Sequence, residues 1–271
     1  MSFMQKTIVL TGASAGIGKS LALTLAHQGA NLVLAARHQS ALEEVLDACI
    51  EAGGKAIAVP TDVTKPEDCR KLVEAAIAAF GQIDILVNNA GISMLTAFDQ
   101  VTDLSIFDQV MQVNYLGAVY CTYFALPYLK TSRGLLVAIS SLSGKTAVPT
   151  RSGYVASKHA MQGFFDTLRI ELQGTGVDVL VVSPGFVATD IRQRALGADG
   201  KALGQSPRDE SKDNMSVTEC VRQIVRAMAG RKREYVMTMK GKVIPWAKLL
   251  MPGFVDQIAA HAARPKTSTV R

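Results

Sequence analysis

The sequence has few cysteines, a single tryptophan and no long apolar run. Its 271 residues include only Cys49, Cys69, Cys121 and Cys220, and none of them belongs to a Cys-x-x-Cys pair. This spacing disfavours a zinc site or a disulfide framework, and scattered reduced cysteines are typical of a cytoplasmic protein. No stretch approaches the ~18 apolar residues of a transmembrane helix, and the start of the chain has no apolar segment typical of a signal peptide. We therefore expect a cytoplasmic protein with no bound metal.

A large excess of charge of one sign is also absent. Lysine and arginine number 29 against 23 aspartates and glutamates, which gives a net charge of +6. This mildly basic balance suits an anionic ligand, and because no nucleic-acid recognition motif accompanies it, we expect no nucleic-acid partner. Hydrophobic residues make up 48% and charged residues 19% of the chain, a balance that disfavours disorder. A chain of this length can bury a full core in one large domain.

Short apolar segments rich in β-branched residues alternate with amphipathic ones. The predicted strands cover 7–10, 31–36, 55–60, 83–88, 135–140, 177–183 and 234–237. The predicted helices cover 16–28, 40–52, 66–80, 104–130, 154–173 and 216–229. Capping-box patterns beginning at Thr64 and at Ser216 mark the starts of the third and the last of these helices. Strands that are apolar throughout are buried on both faces, so the alternation predicts an α/β fold: a single doubly wound parallel sheet, Rossmann-like, of about seven strands flanked by helices.

We expect one domain over residues 1–263. Residues 192–215 form a polar, glycine-containing stretch, and loops of that length often act as lids, although a plain surface excursion is the alternative. Residues 240–260 form an apolar extension that we expect to be helical. The polar residues 264–271 are expected to be a frayed tail.

A glycine-rich turn separates the first strand from the first helix. The sequence Thr11-Gly12-Ala-Ser-Ala-Gly16-Ile-Gly18 spaces its glycines differently from the common Gly-x-Gly-x-x-Gly fingerprint. Glycine permits a tight turn, lets backbone N–H groups approach a pyrophosphate and allows close packing of helix on sheet. The N-terminus of the following helix would then face the anion. The position of the turn favours a dinucleotide phosphate site over an ordinary glycine-rich turn.

No acidic residue follows the second strand directly. NAD-binding sites usually place Asp or Glu there for the ribose 2′-hydroxyl, whereas this chain has Arg37 and His38 and no acid before Glu43. A guanidinium at this position can bind a 2′-phosphate. The sequence therefore favours NADP(H) over NAD(H), with His38 as a helper. The alternative is that Arg37 is a solvated surface charge.

Polar residues also follow the third and fourth strands. Asp62 and Val63 come after the third strand, where the carboxylate could accept a hydrogen bond from adenine. The sequence Asn88-Asn89-Ala90-Gly91 ends the fourth strand at the same edge of the sheet, where ligands bind in such folds. Cofactor contact is one interpretation of this second motif, and a plain turn is the other.

Tyr154 and Lys158 are four residues apart and would share one face of a helix. An ammonium beside a phenol lowers the pKa of the tyrosine, so the pair could act as an acid toward a ketone or as a base toward an alcohol. Ser141 follows the fifth strand, where its hydroxyl could donate to a carbonyl oxygen. Asn114 is a poor helix former inside a predicted helix, and either lies on the helix surface or makes a backbone or water contact in the site.

Taken together, these motifs resemble the short-chain dehydrogenase/reductase family. The resemblance covers residues 4–190 and rests on the glycine turn and on the following residues in order: Asp62, Asn88-Asn89-Ala90-Gly91, Asn114, Ser141, Tyr154-x-x-x-Lys158 and Pro184-Gly185-x-x-x-Thr189. It implies an enzyme that transfers hydride between NADP(H) and a carbonyl or secondary alcohol, assembled as a homodimer or homotetramer. The chain beyond the last strand resembles the branch of hydroxysteroid dehydrogenases and ketosphinganine reductases.

The resemblance implies a role for each matched residue. Tyr154 would be the general acid/base, and Lys158 would lower its pKa and hold the nicotinamide ribose. Ser141 would polarise the carbonyl, and Asn114 would keep a water in a proton relay. The implied cofactor contacts are Gly12, Ser14, Ala15, Gly16, Ile17, Gly18, Arg37, His38, Asp62, Val63, Asn89, Ala90, Gly91, Tyr154, Lys158, Pro184, Gly185, Val187 and Thr189. Many NADP-preferring relatives carry a second basic residue at the position of Ala15, so the preference for NADP rests mainly on Arg37.

The C-terminal extension is apolar, contains Trp246 and carries Lys240, Lys242 and Lys248. Apolar and basic residues together can mark a helix that associates weakly with a membrane surface, and two prolines are expected to interrupt this one. The alternatives are that the extension covers the substrate cleft or packs on another subunit. An apolar wall near the cleft suggests a hydrophobic small-molecule substrate. The residues expected to border the pocket are Met94, Leu95, Ser143, Lys145, Val148 and 192–215.

Other functions remain open at this point. A cofactor-binding regulator or scaffold could use the same fold, although it would not need the set of Ser141, Tyr154 and Lys158. An epimerase or dehydratase would keep its cofactor bound and turn over substrate without net consumption of NADPH.

Overall fold

A single parallel sheet lies at the centre of the computed structural model, which describes residues 2–205 and 215–263. Its strands are β1 (Thr7–Thr11), β2 (Asn31–Ala36), β3 (Lys55–Pro60), β4 (Ile85–Asn88), β5 (Leu135–Ile139), β6 (Asp178–Ser183) and β7 (Glu234–Val236). In this part of the chain the seven strands run in the order β3-β2-β1-β4-β5-β6-β7, and every neighbouring pair is parallel. The predicted α/β fold with a doubly wound parallel sheet is therefore confirmed.

Helices cover both faces of the sheet. They are α1 (Gly16–Ala26), α2 (Gln39–Glu51), α3 (Pro66–Phe80), α4 (Ser105–Met111), α5 (Gly117–Ser132), α6 (Ser152–Glu171), α7 (Val217–Ala229), α8 (Met239–Leu250) and α9 (Pro252–Ala263). Successive strand residues point to opposite faces, so Ile8 and Leu10 belong to the core under α1, α2 and α7, whereas Val9 belongs to the core under α3, α5 and α6. Burial on both faces explains why the strand segments are apolar throughout.

The helix predicted over 104–130 is not continuous. A π-helical turn over Gln112–Leu116 separates α4 from α5, and Asn114 lies at its centre with no exposed surface. The extra residue of a π turn changes the direction in which this side chain points, and such turns are frequent at functional sites. Of the two interpretations of Asn114, the helix-surface one is therefore wrong.

Of the two predicted capping boxes, the one at Ser216 caps its helix and the one at Thr64 does not. The hydroxyl of Ser216 accepts a hydrogen bond from the N–H of Glu219 at 3.1 Å, so α7 begins as expected. By contrast, α3 begins after Lys65, and the hydroxyl of Thr64 donates to the Oδ1 of Asp62 at 2.8 Å. The prediction for Thr64 is wrong because the carboxylate two residues earlier binds its hydroxyl.

The stretch expected to act as a lid is bound to the body of the protein in its described part, 192–205. Leu196 forms bridges with Met94 and Ala202, and its carbonyl accepts from the N–H of Leu95 at 2.9 Å. The N–H of Thr102 donates to the carbonyl of Ala198, also at 2.9 Å. The remaining residues of this stretch, 206–214, and the tail, 264–271, lie outside the described residues.

The C-terminal extension is helical, as predicted. Thr238 caps α8, because its hydroxyl accepts from the N–H of Gly241 at 3.0 Å. Pro245 lies inside α8 without ending it, whereas Pro252 begins α9, so the chain is interrupted at one of the two prolines. Among the described residues, no helix combines the length and the hydropathy that a bilayer span requires.

Candidate active site

Two glycines of the turn after β1, Gly12 and Gly18, pack so closely against backbone atoms that no side chain fits at either position. Gly12 has a φ of +66°, and a Cβ there would lie 2.8 Å from the Cα of Ala90. A Cβ at Gly18 would lie 2.1 Å from the carbonyl oxygen of Gly12. Gly16, with a φ of +55°, begins α1, so the free N–H groups of that helix lie at the turn. The turn therefore fits the pyrophosphate of a dinucleotide, and Ser14, Ala15 and Ile17 lie in the same segment.

Hydrogen bonds between the ends of β1 and β4 fix the shape of this turn. The side-chain amide of Asn89 donates to the carbonyls of Thr11 at 2.9 Å and Gly12 at 3.1 Å. The hydroxyl of Thr11 accepts from the N–H groups of Asn89 and Ala90, both at 3.0 Å. Because β1 and β4 are neighbours without being consecutive, this network lies at the switch point where doubly wound sheets bind ligands. Asn89 thus fixes the shape of the turn. From the sequence alone, this structural role could not be told apart from direct contact with the cofactor.

Arg37 and His38 are exposed at the end of β2, next to the glycine turn. The N–H of Ala13, inside the turn, donates to the carbonyl of Ala35 at 3.1 Å, so the end of β2 and the turn are joined. His38 is the residue that precedes α2. Arg37 follows Ala35 by two residues, so its exposed guanidinium lies near the glycine turn, where the 2′-phosphate of a bound dinucleotide could reach it.

Asp62 and Val63 follow β3 at the same edge of the sheet. The Oδ1 of Asp62 accepts from both the N–H and the hydroxyl of Thr64, at 3.1 and 2.8 Å. Val63 is buried against the first residue of α5, where a Cβ on Gly117 would lie 2.8 Å from the Cγ2 of Val63. The contact between Asp62 and adenine stays a prediction.

Tyr154 lies in the first turn of α6 and is 8% exposed. Burial raises the pKa of its phenol, and a hydrogen bond with Ser141 and the charge of Arg151 act in the opposite direction. Because burial is the largest of these effects, the pKa of Tyr154 is raised overall. The sequence-based expectation that Lys158 lowers this pKa below its usual value is therefore wrong. The hydroxyl of Ser141 also accepts from the N–H of Ser143 at 3.1 Å, which fixes it beyond the end of β5.

Lys158 lies on the same face of α6, one turn beyond Tyr154, and is 4% exposed. Its Nζ donates to the carbonyl of Ile139 at 3.0 Å and lies 5.9 Å from the centroid of the Tyr154 ring. Burial lowers the pKa of this ammonium to about 8. At neutral pH the group therefore keeps its charge beside the phenol.

Asn114 joins the chain after β4 to α6. Its Oδ1 accepts from the N–H of Ile92 at 2.8 Å, and its amide donates to the carbonyl of Ile92 and the hydroxyl of Ser157, both at 2.9 Å. Ser157 in turn donates to the carbonyl of Tyr154 at 2.8 Å. A Cβ on Gly91 would lie 3.2 Å from the Oδ1 of Asn114 and 3.7 Å from the Nζ of Lys158. The Oδ1 of Asn114 and the Nζ of Lys158 therefore both lie beside Gly91. The proton relay through a water held by Asn114 stays a prediction.

The loop after β6 connects the two halves of the site. The carbonyl of Pro184 accepts from the N–H of Leu142 at 3.0 Å, next to Ser141. At its other end, the Cγ2 of Thr189 lies 3.4 Å from the position of a Cβ on Gly16, in the phosphate turn. Within the same loop, Gly185 faces Thr238 at the start of α8, and Val187 is buried.

A small cluster of apolar side chains packs around Tyr154. Met94, Ile106 and Val110 are fully buried and cluster with Tyr154, and Leu196 packs against them. Met94 therefore belongs to a small core around the tyrosine and does not line an open pocket. Of the other residues expected at the pocket, Lys145 forms an ion pair with Glu234, and Val148 lines a cavity of about 550 Å³ between α6 and α9.

The sequence missed three contributors to this site. Thr11 and Ser157 each link two backbone segments, and Thr238 brings the start of α8 against Gly185. Ser157 carried a usable signal, because it lies three residues after Tyr154 and one before Lys158, on the same helix face. Thr238 carried none, since its contact depends on how the C-terminal helices pack.

A doubly wound sheet with a glycine turn at its switch point, and a buried tyrosine and lysine beside it, defines a nicotinamide-dinucleotide oxidoreductase. The family model described as short chain dehydrogenase matches residues 6–199. The chain belongs to the short-chain dehydrogenase/reductase family, and it is an oxidoreductase that acts on a CH–OH/C=O pair.

Known proteins agree with this assignment. An 11-beta-hydroxysteroid dehydrogenase A of Sesamum indicum is 38% identical over 258 residues, or 93% of this chain and 74% of that protein. The X-ray structure of an alcohol dehydrogenase from Thermococcus sibiricus, complexed with 5-hydroxy-NADP, is 26% identical, with a TM-score of 0.75 over 86% of this chain and 96% of that one. A short chain dehydrogenase from Burkholderia cenocepacia, in complex with NADP, has the same fold at 23% identity, with a TM-score of 0.79 over 98% and 100% of the two chains. The predicted resemblance to hydroxysteroid dehydrogenases is confirmed.

Proposed function

We propose that the protein exchanges hydride between NADP(H) and the carbonyl or secondary alcohol of a hydrophobic substrate, with Tyr154 as the general acid/base. One observation carries this proposal. Tyr154 is buried, the centroid of its ring lies 5.9 Å from the Nζ of Lys158, and Ser141 acts to lower the pKa of its phenol, at the sheet edge that also holds the glycine turn. A regulator or scaffold would have no use for a tyrosine held in this way.

The proton chemistry follows from the surroundings of the phenol. Burial keeps Tyr154 protonated at neutral pH, so it can donate a proton to a carbonyl oxygen as negative charge builds there. Ser141 can donate a second hydrogen bond to the same oxygen. The ammonium of Lys158, with a pKa of about 8, stabilises the phenolate that the proton transfer leaves behind. A bound nicotinamide supplies the hydride for reduction and accepts it for oxidation.

The residues present fit NADP(H). The glycine turn and the start of α1 would hold the pyrophosphate, and the exposed Arg37 would bind the 2′-phosphate. Lys158 and the loop from Pro184 to Thr189 would hold the nicotinamide end. The complex of the Thermococcus sibiricus relative with 5-hydroxy-NADP supports this choice of cofactor.

The names of the hydroxysteroid dehydrogenase relatives support a hydrophobic substrate. We also propose a homodimer or homotetramer, because Tyr123 on α5 and Ile170 on α6 expose much of their apolar surface. The absence of paired cysteines in the sequence supports a cytoplasmic location.

The variant Tyr154→Phe tests the catalytic assignment, because it removes the hydroxyl and keeps the ring. We expect the rate of ketone reduction to fall by about 10³-fold, within the range for a lost general acid, while NADPH binding stays unchanged. The probes are NADPH fluorescence for binding, and a steroid ketone and a long-chain aliphatic ketone for turnover. The matched control is Tyr128→Phe, at another exposed position on α5. If Tyr154→Phe keeps near-wild-type rates, the assignment of Tyr154 is wrong.

A further inference from the structure

The two C-terminal helices expose a continuous set of large apolar side chains. Trp246 is 70% and Leu250 is 81% exposed. The patch formed by these helices, called here the α8–α9 patch, consists of Met239, Val243, Trp246, Leu249, Leu250, Met251, Phe254 and Ile258. Apolar surface of this extent, rimmed by polar residues, marks an interaction site. The catalytic set and the cofactor turn account for none of these residues.

The spacing within the patch gives it a shape. Val243, Trp246 and Leu250 recur at the three- and four-residue intervals that place side chains on one face of α8. The chain leaves α8 at Met251 and continues into α9, where Phe254 and Ile258, four residues apart, are exposed as well. The chain around the junction of α8 and α9 therefore exposes leucine, methionine and aromatic side chains.

The balance of charge beside the patch is positive, with Lys242 and Lys248 against Asp256. Glu234 lines a cavity with Trp246 and Leu249, and its carboxylate forms an ion pair with Lys145. Lys242 and Lys248 on α8 are exposed, and the sequence of α8 contains no aspartate or glutamate. Asp256 on α9 lines the cavity beside α6, which Lys248 also lines. Basic side chains beside exposed tryptophan and leucine match the boundary between anionic headgroups and acyl chains.

We infer that the α8–α9 patch is a docking surface for an anionic lipid bilayer. A second copy of the chain fits less well, because a two-fold contact through this patch would bury four lysines, Lys242 and Lys248 of each copy, with only the two copies of Asp256 beside them. Docking in the plane of the interface agrees with the finding that none of the described helices could span a bilayer. The same helices line the cavity beside α6, so a bilayer docked here lies next to that cavity.

Binding to vesicles tests this inference directly, and it needs no substrate or turnover. The full chain is sedimented with vesicles of phosphatidylcholine alone and with vesicles that also contain phosphatidylserine, at low and at high salt. We expect binding to the anionic vesicles, weaker binding to the neutral ones, and partial release by salt, because surface charges are screened. Absence of binding to the anionic vesicles overturns the inference.

Two sets of variants assign the binding to the patch. The double variant Leu249→Ser, Leu250→Ser should lower binding to both vesicle types by about tenfold or more, because burial of each CH₂ contributes to the affinity. Lys242→Gln and Lys248→Gln should each lower binding to anionic vesicles by about fivefold, which corresponds to ~1 kcal/mol, and leave neutral vesicles unaffected. The control is Leu104→Ser, which alters a leucine of similar exposure before α4.

Retained NADPH binding shows that each variant is folded. Equal vesicle binding by wild type and the double leucine variant would overturn the inference. So would a result in which the wild type ignores vesicles and the leucine variant changes from dimer to monomer in analytical ultracentrifugation. That outcome would assign the patch to a second copy of the chain.

Discussion

Two glycines on opposite sides of the site are equally crowded but have different neighbours. A Cβ on Gly18, in the phosphate turn, would lie 2.1 Å from the backbone oxygen of Gly12. A Cβ on Gly241, at the start of α8, would lie 2.3 Å from the Cδ2 of Leu142, at the end of a side chain that can rotate. We call the surroundings of Gly18 the cofactor side and those of Gly241 the α8 side: the tightest contact is with backbone at the first, and with a side chain that can adjust at the second. Substitutions should therefore be costly on the first side and tolerated on the second.

Gly18→Ala should have the larger effect. Because the backbone of the turn must move, we expect the free energy of unfolding to fall by about 1–3 kcal/mol, the usual cost of overpacking. NADPH affinity should fall by at least about tenfold, since the amides of the turn shift from the pyrophosphate. Urea unfolding and NADPH fluorescence titration measure the two effects.

Gly163→Ala is the control for this variant. Gly163 lies inside α6, and among the described residues no atom outside its own stretch of helix lies within 4 Å of the position of its Cβ. Alanine should raise the stability there by up to ~1 kcal/mol, from its higher helix propensity. Equal effects of Gly18→Ala and Gly163→Ala would show that the turn is not tightly packed.

Arg37→Ala tests whether charge adds specificity to the cofactor side. Loss of a charged hydrogen-bond donor should weaken NADPH binding by about tenfold or more and leave NADH binding unchanged. Lys71→Ala, at an exposed position on α3, serves as the control. A similar loss for both cofactors would mean that Arg37 does not contact the 2′-phosphate.

Lys158, where the two sides meet, gives the protein a predictable pH dependence. Its pKa is about 8 in the folded protein, against 10.5 for an ordinary lysine. Between pH 8 and 10.5 this lysine is protonated in the unfolded chain and largely neutral in the folded one. The free energy of unfolding therefore rises with pH in this range, by up to ~1.4 kcal/mol per pH unit. The contribution is lost again as the pH falls from 10.5 through 8. Lys158→Met should remove this slope in urea unfolding at a series of pH values. A slope that persists in the variant would assign the titration to another group.

Gly241→Ala should have the smallest effect. Leu142 can move away from the new methyl group, and Ser141, the next residue, would shift slightly with it. We expect kcat to fall severalfold, because a small displacement of a donor weakens its contact with the reacting oxygen, while NADPH affinity stays unchanged. A loss of NADPH affinity as large as that of Gly18→Ala would remove the distinction between the two sides.

How much of the site could be predicted depends on whether a feature is local in sequence or is formed by contacts between distant segments. The glycine turn, Arg37 and the Tyr154–Lys158 pair are local signals, each contained in one strand, turn or helix, so the sequence was sufficient to propose them, and the role of Arg37 stays a prediction. The π turn at Asn114 could not be predicted, because it depends on hydrogen bonds to Ile92, which is distant in sequence. The same is true of the contact between α8 and the turn after Ser141. The rise in the pKa of Tyr154 also follows from burial, which a helical spacing does not reveal.

Transfer of a labelled hydride is the most direct test of the proposed activity. NADPH deuterated at its transferable hydrogen is incubated with the wild-type protein and with the steroid and aliphatic ketones, and the products are analysed by mass spectrometry. We expect an alcohol that carries a single deuterium at the former carbonyl carbon, formed together with oxidised cofactor. Bound NADPH that transfers no deuterium to either ketone, or substrate that is converted while NADPH stays reduced, would contradict the account.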